Sequence, residues 1–241
     1  MKMTLRRRLL TAATLSQQGR LPTGFREVEW LQGSGTQYCQ TDVQPIYTNT
    51  NYTSIKGDIT LLDKAQGQFE LSSIWWQNYS GASSEFRYGI RYEYKQTNPE
   101  TYKGRLSYYY GLLNAANGYV DFTNSVFPID VHYEINKNNI IVNQNTIAKS
   151  SNVQYNPATP KPLLIGAYYT GYSADPIAVF NKQTKVKSLF IYNNDTLLYE
   201  FVPCYRKSDN KTGFMKITVA DGSTVFFPNL GTDEWILGPV V

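Results

Sequence analysis

The sequence predicts an all-β protein, built as an antiparallel sandwich of two sheets with almost no helix. Three observations favour this fold. The 241-residue chain contains 20 Tyr, and its segments rich in Tyr, Thr, Ile and Val are typical of pleated strands. Most of these segments have the length of a strand and are bounded by Gly, Pro, Asn or Asp. A chain of this length can hold one large domain, and no long linker divides it.

The predicted strands follow one another along the chain from residue 25 onward. In the first, at 25–32, period-two alternation puts Val28 and Trp30 on one face and Glu27 and Glu29 on the other. A glycine-rich bend follows at 33–38. The other predicted strand regions are 53–62, 68–76, 85–95, 105–113, 130–143, 162–170, 186–205 and 214–227.

Three of these regions contain predicted hairpins. They lie at 134–142, 191–199 and 218–226. Their tips are Asn-Asn, Asn-Asp and Asp-Gly, which tolerate positive φ angles. About ten strands joined in this way predict a two-sheet sandwich in which helices are nearly absent.

The net charge of the chain is unevenly distributed. The formal net charge is +4, from 23 Lys and Arg residues against 19 Asp and Glu. Six of the 23 precede the first carboxylate, Glu27, which leaves 17 basic against 19 acidic residues and a balance of −2. The basic character therefore belongs to the N-terminal segment.

We interpret residues 1–20 as a basic anchoring arm and residues 21–241 as the folded domain. The arm is predicted to be extended or to form a short helix, since Leu5 and Leu9 are spaced i, i+4. The candidate anchoring residues are Lys2, Leu5, Arg6, Arg7, Arg8, Leu9 and Leu10.

Three consecutive arginines suit phosphates or a carboxylate-rich protein groove, because each guanidinium offers planar, bidentate donors. The rest of the chain lacks a basic stripe, which argues against direct contact with nucleic acid. A groove on a partner protein is therefore the favoured target of the arm. The apolar run 9–15 is at the lower limit for a secretory signal, and no segment is long enough to span a membrane.

Histidine and cysteine chemistry is limited by composition. The chain contains one histidine, His132, and two cysteines, Cys39 and Cys204, so a Cys/His metal site within one chain is not expected. We predict no metal and no cofactor. Two free thiols in a reducing compartment are favoured over a disulfide, although the sequence leaves the pairing open. His132 alternates with Val131 and Tyr133 and is predicted to face away from the core.

The stretch that contains Cys204 could be a reactive thiol or a structural corner. A reactive thiol needs a partner base and a lowered pKa. The sequence favours the corner: the strand is expected to leave the sheet at Pro203, and Arg206 and Asp209 are expected to hold the following turn by hydrogen bonds.

Two segments carry a resemblance to a known family. The segment "LPTGFREVEWLQGSGTQYCQTDVQP" (21–45) and the segment "LFIYNNDTLLYEFVPCYRKSDNKTGFMKI" (189–217) resemble the opening and closing segments of concanavalin A-like, laminin G-like jelly-roll domains, common in tailed bacteriophages and gut bacteria. The matching residues are Leu21, Pro22, Gly24, Gly35, Thr36, Gln37, Tyr38, Phe201 to Asp209, and Gly213.

The resemblance implies a jelly-roll domain in a non-enzymatic virion structural protein of a tailed phage. We expect it to decorate the capsid surface after assembly in the cytoplasm of the bacterial host. Its expected partners are the major capsid protein or other virion proteins, and either a monomer or a homo-oligomer fits this role. Glucan hydrolases share the fold but carry three alternating carboxylates on one strand. Glu27 with Glu29, and Glu93 alone, do not provide that pattern, so no enzyme activity is predicted.

The alternative is a carbohydrate-binding module of a phage fibre or bacterial surface protein that binds host surface glycans. Exposed aromatic rings can stack on sugars, although rings in a sandwich core or subunit interface are the commoner case. The candidate glycan or interface aromatics are Trp75, Trp76, Tyr79, Tyr108, Tyr110, Tyr168 and Tyr169.

Overall fold

The strands of the chain were located in a computed structural model. It describes residues 19–44, 52–63, 71–79, 86–97, 100–112, 118–122, 125–136, 139–148, 162–169, 176–178 and 184–241. In these ranges the chain forms strands, bridges, turns and bends and no helix, which confirms the all-β prediction. Residues 1–18 of the predicted arm lie outside them.

The strands are numbered in chain order. They are β1 (Phe25–Glu27), β2 (Leu31–Gln32), β3 (Cys39–Gln40), β4 (Thr53–Leu61), β5 (Leu71–Tyr79), β6 (Phe86–Thr97), β7 (Glu100–Leu112), β8 (Gly118–Asp121), β9 (Ile129–Ile135), β10 (Asn139–Val142), β11 (Asn145–Ala148), β12 (Leu164–Ile165), β13 (Ala167–Tyr169), β14 (Pro176–Ala178), β15 (Thr184–Asn193), β16 (Thr196–Arg206), β17 (Thr212–Thr218), β18 (Thr224–Pro228) and β19 (Ile236–Leu237).

Two large antiparallel sheets organise these strands. The larger has the order β11-β10-β9-β4-β15-β16-β17-β18, and β1, β2 and β19 join it at a fork where β1 pairs with β16 and β2 with β15. The second has the order β3-β12-β5-β6-β7-β8, and β13 pairs with β14 in a separate ribbon. Both large sheets supply side chains to one hydrophobic core, for example Phe201 and Ile59 from the first and Ile90 and Leu106 from the second. This shared core is consistent with a β-sandwich.

Alternation along β9 shows how the sequence selects the buried face. Val131, Tyr133 and Ile135 are buried, whereas His132 between them is exposed. This pattern was predicted and is confirmed.

The three predicted hairpins are also confirmed. They are formed by β9 with β10, β15 with β16, and β17 with β18. At two tips the expected residues adopt positive φ, with Asn194 at 51° and Gly222 at 70°. A fourth hairpin, between β10 and β11, turns at Asn143 and Gln144 and was not predicted.

Three predictions about strand continuity were wrong. The strand expected at 162–170 is divided at Gly166, which has a φ of 82°, into β12 of the second sheet and β13 of the separate ribbon. The strand expected at 25–32 is split into β1 and β2, because the two halves pair with different strands at the fork. Pro203 does not end its strand, since β16 continues to Arg206. The carbonyl of Pro203 accepts a hydrogen bond of 3.0 Å from Val28 N. In a strand, the nitrogen and the carbonyl of one residue face the same neighbour. The nitrogen of Pro203 therefore faces the place where β16 stops pairing with β15 and starts pairing with β1. No hydrogen bond of the sheet is lost there.

The glycine-rich bend at 33–38 is held by the side chain of Gln37, which is fully buried. Its Oε1 accepts hydrogen bonds from Ser34 N (3.0 Å) and Gly35 N (2.8 Å). Its Nε2 donates to Ser34 Oγ (2.8 Å) and to the carbonyl of Glu234 (3.0 Å). The side-chain amide of Gln37 thus pairs with polar groups of the bend and links the bend to the loop before β19.

A second apolar cluster lies on the outer face of the larger sheet. Because side chains alternate, Val202 and Met215 point away from the core that contains Phe201 and Phe214. Val202, Cys204 and Met215 are nonetheless buried. The partly buried residues that pack on them are Leu21, Phe25, Ile217 and Phe226. The segment that follows the arm thus covers this outer cluster.

Candidate functional site

The point where the predicted arm meets the domain is defined by Arg20. The Nε of Arg20 donates a 2.7 Å hydrogen bond to Glu27 Oε2, and its two terminal nitrogens contact the other oxygen of Glu27 and a carboxylate oxygen of Glu200. Burial lowers the pKa of Arg20, but the hydrogen bonds and charges of the two carboxylates outweigh it and raise this pKa above its ordinary value. Both carboxylate oxygens of Glu27 contact Arg20, so this side chain is not positioned to act as a general acid or as a nucleophile.

Residues 21–25 fix the position from which the arm leaves. The rings of Phe25 and Phe226 lie 4.9 Å apart, and Phe25 N donates to the carbonyl of Pro22 at 2.9 Å. Lys207 holds the segment from the other side: its N donates to the carbonyl of Gly24 at 2.9 Å and its Nζ to that of Thr23 at 2.6 Å. We call Arg20 and these packed residues the arm root. The root is a packed and hydrogen-bonded attachment point.

The predicted anchoring residues themselves lie outside the described residues. They are Lys2, Leu5, Arg6, Arg7, Arg8, Leu9 and Leu10. The structure describes the chain from Gly19, one residue before the root.

The backbones of the candidate aromatic residues are placed, but their side chains lie outside the described part. Trp75, Trp76 and Tyr79 lie on β5, Tyr108 and Tyr110 on β7, and Tyr168 and Tyr169 on β13. The register brings Trp75 and Tyr108 to one row, on either side of Ile90 in β6. Tyr168 and Tyr169 pair with β14 in the separate ribbon.

The structure shows an exposed aromatic ring that sequence reasoning missed. Tyr119, on β8, is 51% exposed. The guanidinium of Arg105 lies 3.6 Å from its ring centroid and binds the carboxylate of Asp121 at 2.7 and 2.9 Å. The period-two pattern of "GYVD" could have indicated it, because Val120 packs on the core and its neighbours then face outward.

The ring of Trp30, by contrast, contacts other residues of the chain. The Nζ of Lys185 lies 3.9 Å from its ring centroid, and a Cβ on Gly238 would come within 2.8 Å of the ring. Its ring serves packing between β2 and the C-terminal segment.

Polar side chains form a row across β9, β4 and β15 on the outer face of the larger sheet. The contacts in this polar row are Lys56 Nζ–Glu134 (2.9 Å), Asp58–His132 Nδ1 (3.0 Å), Asp58–Ser188 Oγ (2.7 Å), Thr60–Asp130 (2.6 Å) and Lys187 Nζ–Asp130 (2.7 Å). Lys187 reaches Asp130 from the β-bulge between Val186 and Ser188.

The order of Ser188, Asp58 and His132 decides what this row can do chemically. A hydrolytic triad places histidine between the hydroxyl and the carboxylate, so that the imidazole takes the proton. Here Asp58 lies between Ser188 and His132, and the hydroxyl hydrogen-bonds to the carboxylate. Ser188 is also buried. This arrangement orients the pair but does not activate a nucleophile.

The Asp58–His132 contact predicts a pH-dependent contribution to stability. The hydrogen bond to Asp58 raises the pKa of His132 above its ordinary value of 6.5, against the opposing effect of burial. A raised pKa means that the folded state binds the proton more tightly, so the contribution is complete below pH 6.5 and is lost as the pH rises through the raised value. Both side chains are about half exposed, so we expect less than about 1 kcal/mol.

To test this, the free energy of unfolding in urea is measured for wild type and for His132→Asn at pH 5.5 and at pH 8.5. The variant should be less stable at the lower pH, and the difference should shrink at the higher pH. In an Asp58→Asn background this pH dependence should disappear. A difference that is constant or larger at pH 8.5 would contradict the assignment.

The two cysteines are free and buried. Cys39 belongs to the main core and Cys204 to the outer cluster. Burial raises the pKa of Cys204 to about 12, and it also raises the pKa of Cys39. Neither thiol is a nucleophile at neutral pH.

The corner after Cys204 is held as predicted. Arg206 donates to both oxygens of Asp209, from Nε at 3.0 Å and from a terminal nitrogen at 2.6 Å. Asp209 also accepts a 3.2 Å bond from Lys211 N. The stretch around Cys204 is structural.

The residues that the structure describes contain no group of three or more His, Cys, Asp or Glu side chains placed to hold a metal ion. No helix capable of spanning a lipid bilayer occurs among them.

No protein-family model matches the sequence, and no curated protein is significantly similar to it.

Proposed function

We propose that this chain is a non-enzymatic virion structural protein of a tailed phage, a capsid decoration protein held on the shell through its basic N-terminal arm. The domain would be a concanavalin A-like jelly roll, in which the two large sheets are the two layers. The observation that carries the proposal is the arm root. It fixes a strongly basic segment at one defined point of an otherwise slightly acidic domain.

The charge distribution supports a role for the arm in binding. A positive charge that served only solubility could be spread over the whole chain. Here it is concentrated in the residues before Glu27, as an anchoring segment requires. Arginine side chains bind carboxylates through paired, charge-assisted hydrogen bonds, and Arg20 already makes such bonds to Glu27 and Glu200 within the chain. We expect Arg6, Arg7 and Arg8 to bind acidic side chains of the partner in the same way, with the leucines adding apolar contact.

Rigidity at the root supports the same role. An arm that leaves from a packed segment loses less conformational entropy on binding than one on a loose linker. Leu21 and Phe25 are anchored in the outer cluster, and Lys207 bonds to the backbone between them. The domain is therefore oriented as well as tethered when the arm binds.

The test is incorporation of an arm variant into particles of the phage that encodes the chain. Arg6→Glu/Arg7→Glu should lower the copy number per virion by about ten-fold or more, because hydrogen bonds to charged partners are lost and repulsion is added. Quantitative mass spectrometry of purified particles measures it. The matched control is Arg26→Glu/Gln44→Glu/Ala220→Glu, which changes the net charge equally at exposed residues of the domain outside the arm root.

Cross-linking at Lys2 identifies the partner in the same particles. Cross-links to the major capsid protein are expected. Equal incorporation of the arm variant and wild type would refute anchoring through the arm, and absence of the protein from particles would refute the virion role.

A second candidate function is glycan binding, which the exposed ring of Tyr119 favours. Arg105 backs this ring and Asp121 lies beside it, so a sugar could stack on the ring and hydrogen-bond to the carboxylate. If the protein is absent from particles, retention on host surface glycans that is lost in Tyr119→Ala and kept in Tyr119→Phe would establish this function instead.

A further inference from the structure

Strand β18 forms one edge of the larger sheet. It pairs with β17 on one side, and no strand in the described part of the chain pairs with its other side. At the start of β18, Thr218 N donates to the carbonyl of Ser223 at 2.8 Å, so Ser223 faces β17. Because the direction of the N–H and C=O groups alternates along a strand, Thr224 and Phe226 present theirs to the free side.

A proline limits the length of this free edge. Pro228 also faces the free side, since the next residue, Asn229, faces β17 and donates through its N to Thr212 O at 2.8 Å. Proline has no N–H, and an edge position of this kind is one where a sheet tolerates it. Further along, Leu230 N donates to Tyr38 O at 2.8 Å, so the edge is covered there. The open part of the edge is therefore the stretch before the proline.

This open stretch lacks the charges that normally protect sheet edges. Residues 222–228 read Gly-Ser-Thr-Val-Phe-Phe-Pro and contain no charged side chain. Val225, at the centre, is 41% exposed. Its neighbour in β17 is Lys216, whose charge is neutralised by Asp42 at 2.6 Å. An uncharged, apolar edge of this kind pairs readily with another strand.

The free edge is complementary to a second copy of itself. In an antiparallel pair around a two-fold axis at Val225, Thr224 of each copy lies opposite Phe226 of the other. Both residues face the free side, so each such pair exchanges both of its N–H···O bonds. Val225 then lies opposite Val225 of the second copy, in a pair without hydrogen bonds. Cross-strand pairs of β-branched and aromatic residues stabilise sheets.

Charge favours a second copy over a charged partner. The two-fold pairing places only uncharged residues opposite one another, so it brings no like charges together. An acidic or basic segment of another protein would lose hydration without finding a counter-charge on this strand. A longer strand from another protein would also place a carbonyl opposite the missing N–H of Pro228.

We propose that β18 pairs with β18 of a second copy, so that the larger sheets of the two copies join into one sheet across a two-fold axis at Val225. The paired stretch is short, so the dimer is weak and dissociates readily. This inference goes beyond the proposed virion function and does not depend on it, since it concerns the isolated full-length protein.

The test is disulfide trapping of Val225→Cys in the full-length protein with oxidised glutathione, followed by non-reducing electrophoresis. A disulfide needs Cα atoms about 4.4–6.8 Å apart, and a pair without hydrogen bonds places them about 4.5 Å apart. The matched control is Val219→Cys, at a valine that is 49% exposed on the same hairpin but outside the paired stretch. We expect Val225→Cys to form covalent dimer about ten-fold faster than the control. The two native cysteines are buried and do not compete.

Two edge variants test the backbone pairing itself. In the Val225→Cys background, Thr224→Pro removes an N–H from the free side and no bond to β17, and Thr224→Lys places a charge on the edge. Both should slow cross-linking to the rate of the control, and thermal midpoints equal to that of Val225→Cys establish that folding is intact. The proposal is overturned if Val225→Cys cross-links no faster than Val219→Cys, or if neither edge variant slows it.

Discussion

Alanine at Gly213 is expected to destabilise the protein by about 3 kcal/mol, at the upper end of the range for overpacking. Gly213 lies in β17 between Cys204 of β16 and Pro228 of β18. A Cβ at this position would lie 2.1 Å from the carbonyl oxygen of Phe227, and 3.0 Å from two other backbone atoms of β18. Backbone of a paired strand cannot turn aside as a flexible side chain can, so β18 would have to shift and lose ladder bonds.

Urea unfolding followed by tryptophan fluorescence measures this loss. Gly24→Ala is the matched control, because no atom lies within 4 Å of its added Cβ. The control should stay within about 0.5 kcal/mol of wild type. If Gly213→Ala is as stable as the control, the close approach of β17 and β18 is incorrect.

Asparagine at Asp42 is expected to lower the free energy of unfolding by about 2 kcal/mol, because it leaves a buried lysine without its carboxylate partner. Lys216 lies on the face of β17 that carries Phe214, and its side chain is only 9% exposed. Its Nζ lies 2.6 and 2.5 Å from the two oxygens of Asp42, and 5.1 and 5.6 Å from the ring centroids of Tyr199 and Phe227. Without the carboxylate the ammonium is left largely unsolvated. Asp42 itself is half exposed, which keeps the cost below that of a fully buried pair.

The lysine variant separates this explanation from simple loss of a contact. Lys216→Met removes the charge and fills the same volume, so we expect it to change stability by less than about 1 kcal/mol. The double variant Asp42→Asn/Lys216→Met should resemble Lys216→Met alone. Equal destabilisation by Asp42→Asn and Lys216→Met would show that the buried charge is not the cause. Chemical denaturation near neutral pH provides all three values.

Local sequence signals predicted the parts of the fold that depend on local chemistry. The hairpin at Asn194 and the one at Gly222 were identified because their turn residues favour positive φ, and the exposed position of His132 followed from alternation. The short strands β3 and β19 were not predicted from the sequence, and β12 forms only one part of the strand predicted at 162–170. Two residues carry no periodicity, and such strands exist only because distant partners pair with them.

The errors have the same origin. Nothing within residues 25–32 shows that β1 and β2 pair with different strands, and nothing around Pro203 shows that the ladder has a gap at its nitrogen. The buried position of Lys216 was open to prediction, since alternation puts it on the face of Phe214. The role of Gln37 was not, because one of its four hydrogen bonds reaches the carbonyl of Glu234, which is distant in sequence.

The candidate site was predicted less completely than the fold. Sequence reasoning identified a basic arm from its charge, but the arm root depends on Glu200, which charge patterning near the N-terminus could not reveal. It also missed Tyr119, although alternation with Val120 in β8 places this ring on the outer face. The resemblance to phage jelly-roll domains remains the basis of the proposed role, and the incorporation experiment is its test.

The fork in the larger sheet has a consequence for biosynthesis. β1 pairs with Cys204 to Arg206, and Val28 bridges to Val240, so strands that are synthesised early bind segments that are synthesised much later. During most of translation the nascent chain therefore keeps an unpaired edge and an uncovered apolar face. Such long-range pairing also slows folding, typically to the millisecond-to-second range. The fork is expected to close only after Val240 has emerged from the ribosome, and nascent-chain chaperones that shield apolar edges before that point would raise the yield.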